Sequence, residues 1–170
     1  SRGQFYDAHG ALKDMVQSHM LQILALIGME RPVRLTADHI RNAKAEVLQK
    51  VSVKSLIKAQ YEGYLDEPAV DKKSTTETFV ALSCFIDNDR WRNVPFYLKT
   101  GKFLDKKEAA LYIKFKAAPC LLDVCPSDTN YLAIKIHPHE GMYLGLNIKV
   151  PGVAHRVMPI TMYFSHNVMF

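Results

Sequence analysis

A chain of 170 residues, 48% hydrophobic and 23% charged, is long and apolar enough to bury one core, which excludes a disordered or low-complexity protein. Its net charge of +5 comes from scattered lysines, so no clustered patch for nucleic acid stands out. No apolar run approaches the roughly 20 residues of a membrane span, and no signal-peptide pattern is visible.

Residues 1–10 read as a glycine-containing lead-in. From Gly10 the pattern is that of a long helix running to about Gly28, with Pro32 beyond it as a stop signal. Met15, Val16, Met20, Leu21, Ile23, Leu24, Leu26 and Ile27 fill both faces, so the helix is expected to be buried all round. Lys13, Asp14, Gln17, Ser18, His19 and Gln22 are set into it. Buried polar groups need partners, since an unpaired one costs about 1–3 kcal/mol. For His19, either a ligand or a backbone carbonyl in the core satisfies that need. In an α-helix, five residues advance about 7.5 Å and turn roughly 140° net. Asp14 and His19 are therefore expected not to pair, although both can flank one ligand. If His19 acts as a base, its orienting carboxylate comes from elsewhere.

Thr36 is a plausible N-cap for a second helix reaching about Lys50. Ile40, Ala43, Val47, Leu48 and Val51 form its apolar stripe, and Asp38, Arg41, Lys44 and Glu46 its solvated side. Residues 54–62 read as a short strand, and Gly63 to Lys73 as a polar loop without chemistry.

From Thr76 the period changes to two, placing Thr78, Val80, Leu82, Cys84 and Ile86 on one face. Asp87-Asn-Asp turns the chain toward Trp91, which with Phe96 is expected in the core. Further strands are predicted at Pro95–Thr100, Ala109–Lys116, Tyr131–His137, Met142–Val150 and Ile160–Phe164. Pro138 to Gly141 reads as a tight connection. Helices first and strands after predict an α+β fold, a largely antiparallel sheet backed by the N-terminal helices, in a single domain over 1–170.

Lys102 follows Gly101 just beyond a strand, and Lys107 comes five positions later. A lysine there can reach an anionic or polyhydroxylated ligand; the other reading is a solvated lysine cluster. His137 and His139 lack a nearby third ligand, so no metal site is expected. His9, His39, His155 and His166 read as solvated. The three cysteines, Cys84, Cys120 and Cys125, form an odd set without a zinc pattern and are expected as free thiols.

Gly3-Gln-Phe-Tyr-Asp-Ala-His-Gly10, followed by Ala-Leu-Lys-Asp14-Met-Val-Gln-Ser-His19-Met-Leu-Gln22, resembles the catalytic helix of the glucose-6-phosphate dehydrogenase family. The likeness continues in order through Ser74-Thr-Thr-Glu-Thr-Phe-Val-Ala81, Asp87-Asn-Asp-Arg-Trp91, Val94-Pro-Phe-Tyr-Leu-Lys-Thr-Gly-Lys102 and Ile136-His-Pro-His-Glu140. Lys13 and Ser18 depart from the usual Arg and Asn. The resemblance implies that His19 is the catalytic base and that Asp14, Lys102 and Lys107 bind and orient the sugar. It implies NADP-dependent oxidation of glucose 6-phosphate at C1 to 6-phosphogluconolactone, the first step of the pentose phosphate pathway. It also implies a cytoplasmic enzyme that forms a homodimer or tetramer through its sheet, with no nucleic-acid or membrane partner. The family's animal members hold a second, structural NADP with basic residues on this sheet. Here Lys99 and Lys135 match two such positions, while Glu108, Tyr112 and Gly145 replace others. That second site is therefore not expected.

No strand, glycine-rich turn and helix in succession offers a dinucleotide unit, so NADP is expected to be bound mainly by an N-terminal domain absent from this sequence. The segment in which the family keeps phosphate-binding groups and the carboxylate partner of its histidine is also absent. The chain is thus expected to be an incomplete C-terminal domain, inactive by itself. A non-catalytic, self-associating scaffold is the competing reading.

Overall fold

The computed structural model describes residues 2–117, 120, 125, 126, 128–152 and 155–165. His166 lies outside them. The fold is α+β, with helices first and, among the described residues, seven strands after. The strands form two antiparallel sheets, ordered β1-β2-β3 and β4-β5-β6-β7. The chain divides into two compact units, 1–104 and 105–170.

In the first unit, α1 spans Arg2–Ala11 and breaks at Gly10, whose φ of 68° is left-handed. The expected lead-in is therefore helical. The two glycines of that stretch, Gly3 and Gly10, stand near its ends, and Tyr6 and Asp7 between them are anchored to the rest of the unit. Asp7 accepts hydrogen bonds from the Ser74 hydroxyl and, at 2.9 Å, from the Tyr64 hydroxyl. Its carbonyl accepts from the Thr76 hydroxyl at 2.6 Å. The Ser74 bond is the largest influence holding the Asp7 carboxyl below its ordinary value. The loop from Gly63 contributes to packing, since Tyr64 and Val70 are both buried in the core.

After Gly10 the helix continues to Gly28 in two forms. Leu12–Met20 is π-helical and α2 is Leu21–Gly28. Gly28 ends α2 and also permits close packing, because a Cβ there would stand 2.8 Å from Ile86 Cδ1 and 3.2 Å from Val47 Cγ2. The Trp91 indole N–H donates to the Gly28 carbonyl at 2.9 Å, satisfying one of the orphan acceptors at a helix end. Trp91 also meets Phe96 edge-on.

Helix α3 covers Ala37–Leu48, with Val47 buried. Thr36 stands at its N-cap, but its hydroxyl bonds His39 Nδ1 at 2.7 Å rather than a backbone amide. His39 is thus engaged rather than simply solvated. Strand β1 is Val51–Ala59, β2 Phe79–Ile86 and β3 Phe96–Gly101. Leu82 pairs with Leu56 on one side and Leu98 on the other. Thr78, Val80, Leu82, Cys84 and Ile86 are all buried, as the period of two predicts. Burial also pushes up the Cys84 thiol.

The second unit is a meander of β4 (Ala109–Lys114), β5 (Tyr131–His137), β6 (Gly141–Lys149) and β7 (Val157–Ser165). Gly145 lies opposite Tyr131, whose ring occupies the space a side chain would need: a Cβ would fall 2.1 Å from Tyr131 Cε1. Tyr163 stacks on Tyr143 with centroids 4.6 Å apart. Cys120 and Cys125 are joined in a disulfide, which corrects the expectation of free thiols. Their Cα atoms stand 4.5 Å apart, within bonding range.

Candidate active site

The polar residues of the long helix do not sit in a core. Val16, Leu24, Ala25 and Gly28 face inward, while Lys13, Gln17, Ser18, His19 and Gln22 are exposed and Asp14 is half-buried. The expectation of a helix buried on both faces is corrected on this point, since one face carries the polar stripe. His19 in particular is not a core histidine bonded to a carbonyl. Its imidazole is exposed, and no hydrogen bond or ion pair engages it among the described residues.

The π-helical form also revises the geometry of Asp14 and His19. Backbone bonds run from residue i+5 to i, as Leu21 N–H to the Val16 carbonyl shows at the segment's end. Residues five apart then lie nearly one above the other. The Ser18 hydroxyl makes the same step, donating to the Lys13 carbonyl at 3.0 Å. Asp14 and His19 are separated by that same interval, so they share a face instead of diverging as an α-helix requires. No hydrogen bond joins them, which leaves both free for a common ligand.

Lys102 reaches the same neighbourhood from β3. Its backbone N–H donates to the Thr78 carbonyl at 2.9 Å. Gly101 before it is closely packed, for a Cβ there would meet the Phe79 ring at 2.9 Å. The Lys102 ammonium stands 4.7 Å from the centroid of the Tyr6 ring. Tyr6 is buried, and its hydroxyl is pushed up to about 12 by burial first and then by the charges of Asp14 and Glu77 and by Tyr61. Tyr6 is thus the common neighbour of Lys102 and Asp14. Lys107 stands exposed at the start of the second unit.

Tyr6, Glu77 and Phe103 were not singled out from the sequence. Glu77 binds the first amides after the helix break: the Leu12 N–H reaches its carboxylate at 2.9 Å and the Ala11 N–H its carbonyl at 3.0 Å. Phe103, next to Lys102, is in the left-handed region at φ 54° and packs against Tyr61 at 4.5 Å. The signal for Glu77 was the lone acid in Ser-Thr-Thr-Glu-Thr. Tyr6 and Phe103 gave none, because an aromatic residue reads first as core.

Other places carry less chemistry. An open cleft of ≈ 520 Å³ lined by residues including Lys50, Asp87, Arg92 and Asn93 contains none of Asp14, His19 or Lys102. In the second unit, Lys135 pairs with Glu108 at 3.3 Å, and that carboxylate raises the lysine above its ordinary value. No group of three metal-ligating side chains occurs among the described residues. No described helix is long and apolar enough to cross a membrane.

The family described as glucose-6-phosphate dehydrogenase, C-terminal domain, matches residues 1–170. The chain is 42% identical over 190 aligned residues to a glucose-6-phosphate 1-dehydrogenase of Chlamydia pneumoniae, covering 100% of this chain and 37% of that protein. It is 40% identical to the cytoplasmic glucose-6-phosphate 1-dehydrogenase 5 of Arabidopsis thaliana, covering 89% of this chain and 30% of that one. Among solved structures, the glucose-6-phosphate 1-dehydrogenase of Mycobacterium avium superposes with a TM-score of 0.86 at 38% identity, over 97% of this chain and 37% of that one. A glucose-6-phosphate dehydrogenase in complex with its substrate glucose 6-phosphate superposes at 0.88 and 31% identity, over 99% of this chain and 37% of that one. The chain thus spans about a third of the length of these relatives.

Proposed function

Because the chain belongs to the family of glucose-6-phosphate dehydrogenase C-terminal domains, we propose that it supplies the proton-accepting and sugar-orienting groups of an NADP-dependent glucose-6-phosphate dehydrogenase. The reaction is oxidation of glucose 6-phosphate at C1 to 6-phosphogluconolactone, which opens the pentose phosphate pathway. His19 takes the proton of the C1 hydroxyl. Asp14 and Lys102 hold the sugar by hydrogen bonds, so the hydroxyl meets the imidazole in a reactive geometry. The observation that carries this reading is an exposed, unengaged His19 on the same π-helical face as Asp14.

This chain's share of the reaction is the proton. A dinucleotide site of the usual kind is built on parallel strands with a glycine-rich turn. Every strand pairing among the described residues is antiparallel, so the residues present do not fit such a site. The part that holds NADP lies, on this reading, outside this sequence and joins it in one single-chain enzyme. The same reading makes the protein a homodimer or tetramer through its sheet. Exposed Met158, Met162, Tyr163 and Phe164 on β7, at a sheet edge, support this. The cytoplasm is the proposed compartment, supported by the printed names of two plant relatives.

The test is NADP reduction with glucose 6-phosphate by a full-length enzyme carrying this segment, measured beside the segment alone. Turnover by the first and none by the second is expected. An inert full-length enzyme, or an active isolated segment, contradicts the proposal.

A further inference from the structure

We propose that Glu77 is a positioning residue, whose carboxylate holds the π-helical register that keeps Asp14 and His19 on one face. A helix start leaves its first amides without partners inside the helix. Here the break at Gly10 exposes those of Ala11 and Leu12, and Glu77 takes both, one on its carbonyl and one on its side chain. The cap comes from 65 residues further along the chain rather than from the helix's own N-terminal flank. Gly10 is shaped to this contact. A Cβ on it would lie 2.6 Å from Glu77 Oε1, and its φ of 68° suits glycine.

Long π-helical runs are rare and mostly reduced to single turns, because the α-helical register is the more favourable one. A nine-residue run therefore needs fixing from outside. Leu12, its first residue, is fixed by Glu77. The far end is fixed by burial of Leu24 and Ala25 and by Trp91 on the Gly28 carbonyl. Without the bond at Leu12 the first turns are free to tighten to the i+4 register, which swings His19 away from Asp14. Glu77 also sits beside Thr78, whose carbonyl holds the Lys102 amide and whose hydroxyl accepts from the Tyr61 N–H at 2.8 Å. One short stretch thus fixes both the helix that bears Asp14 and His19 and the loop that bears Lys102.

The kinetic consequences of this inference rest on the proposed function; the register does not. The test uses two variants that separate reach from charge. Glu77→Gln keeps an oxygen where Leu12 needs it and removes the charge. Glu77→Asp keeps the charge and falls one methylene short. In the 170-residue chain, NMR contacts across residues 12–20 distinguish the two registers, and hydrogen exchange reads the Leu12 amide. Glu77→Gln is expected to keep the π register and Leu12 protection. Glu77→Asp is expected to lose both while remaining folded by thermal melting. In the full-length enzyme, kcat should fall about 10²-fold for Glu77→Asp, as for a misplaced catalytic group, and stay within about twofold for Glu77→Gln. An unchanged register in both variants, or a defect in Glu77→Gln with Glu77→Asp normal, overturns the proposal. If the parent enzyme does not oxidise glucose 6-phosphate, the functional reading falls and the register measurement still judges Glu77.

Discussion

The ammonium of Lys102 lies over the ring of Tyr6, 4.7 Å from its centroid, and ties the loop after β3 to the helix that precedes Asp14. A cation over an aromatic face is worth about 0.5–2 kcal/mol, depending on how far it is desolvated. Lys102 is exposed, which puts this pair toward the lower end. The contact matters more for direction than for strength, because it limits where a long, flexible side chain can aim.

Tyr6→Leu should therefore raise KM for glucose 6-phosphate by about 2- to 30-fold, with a smaller change in kcat. Tyr6→Phe keeps the ring face and should stay close to wild type. Steady-state kinetics on both variants, after melting curves confirm folding, check this. Equal losses in both would assign the role to the hydroxyl instead.

The same hydroxyl makes an alkaline prediction. Tyr6 is raised from 10.0 to about 12 in the folded chain, by burial first and then by Asp14 and Glu77. A raised value means that folding favours the protonated form. The resulting stability is fully present below pH 10 and is lost as the pH rises toward 12. Thermal melting between these limits should fall less steeply for Tyr6→Phe than for wild type.

Asp7 acts at the other end of the scale. Its carboxyl is held below 3.8, by Ser74 first and with help from Tyr64 and the Asp71 amide. A lowered folded value contributes stability that is present above the unfolded value and disappears as the pH falls through the folded one. Asp7→Asn keeps an acceptor for Tyr64 but cannot titrate, so the acid limb of its melting curve should be flatter than that of wild type.

Gly10→Ala tests the fit between the helix break and Glu77. Its Cβ would meet Glu77 Oε1 at 2.6 Å, and alanine is strained at φ 68°. A loss of about 1–3 kcal/mol is expected in denaturant unfolding. Gly63→Ala has a left-handed φ of 84° but nothing within 4 Å of its Cβ, so it isolates the backbone part of the effect.

Strand β2 was legible because its burial follows a period of two. Val80, Leu82, Cys84 and Ile86 could be read inward from spacing alone, and β5 was placed at its observed ends. The long helix was legible as a helix, but its register was not. Side-chain pattern does not reveal whether backbone bonds close at i+4 or i+5, and the choice here is bound up with Glu77, which is distant in sequence. Asp14 and His19 make no pair, as expected, but the angle between them assumed an α-helix and differs for that reason. Tyr64 and Val70 were hidden by the polar residues around them, since a loop's average polarity conceals two anchors. Cys120 and Cys125 were judged by compartment and count, neither of which reports how near two cysteines stand.

The central claim, that His19 takes the proton while Lys102 orients the sugar, is tested most directly by kinetics of a full-length enzyme carrying this segment. His19→Asn keeps a polar group of similar reach but cannot accept a proton near neutral pH. The account predicts a fall in kcat of about 10²–10⁴-fold with KM nearly unchanged, set against a raised KM for Lys102→Ala. A folded His19→Asn enzyme with near-wild-type kcat would contradict it.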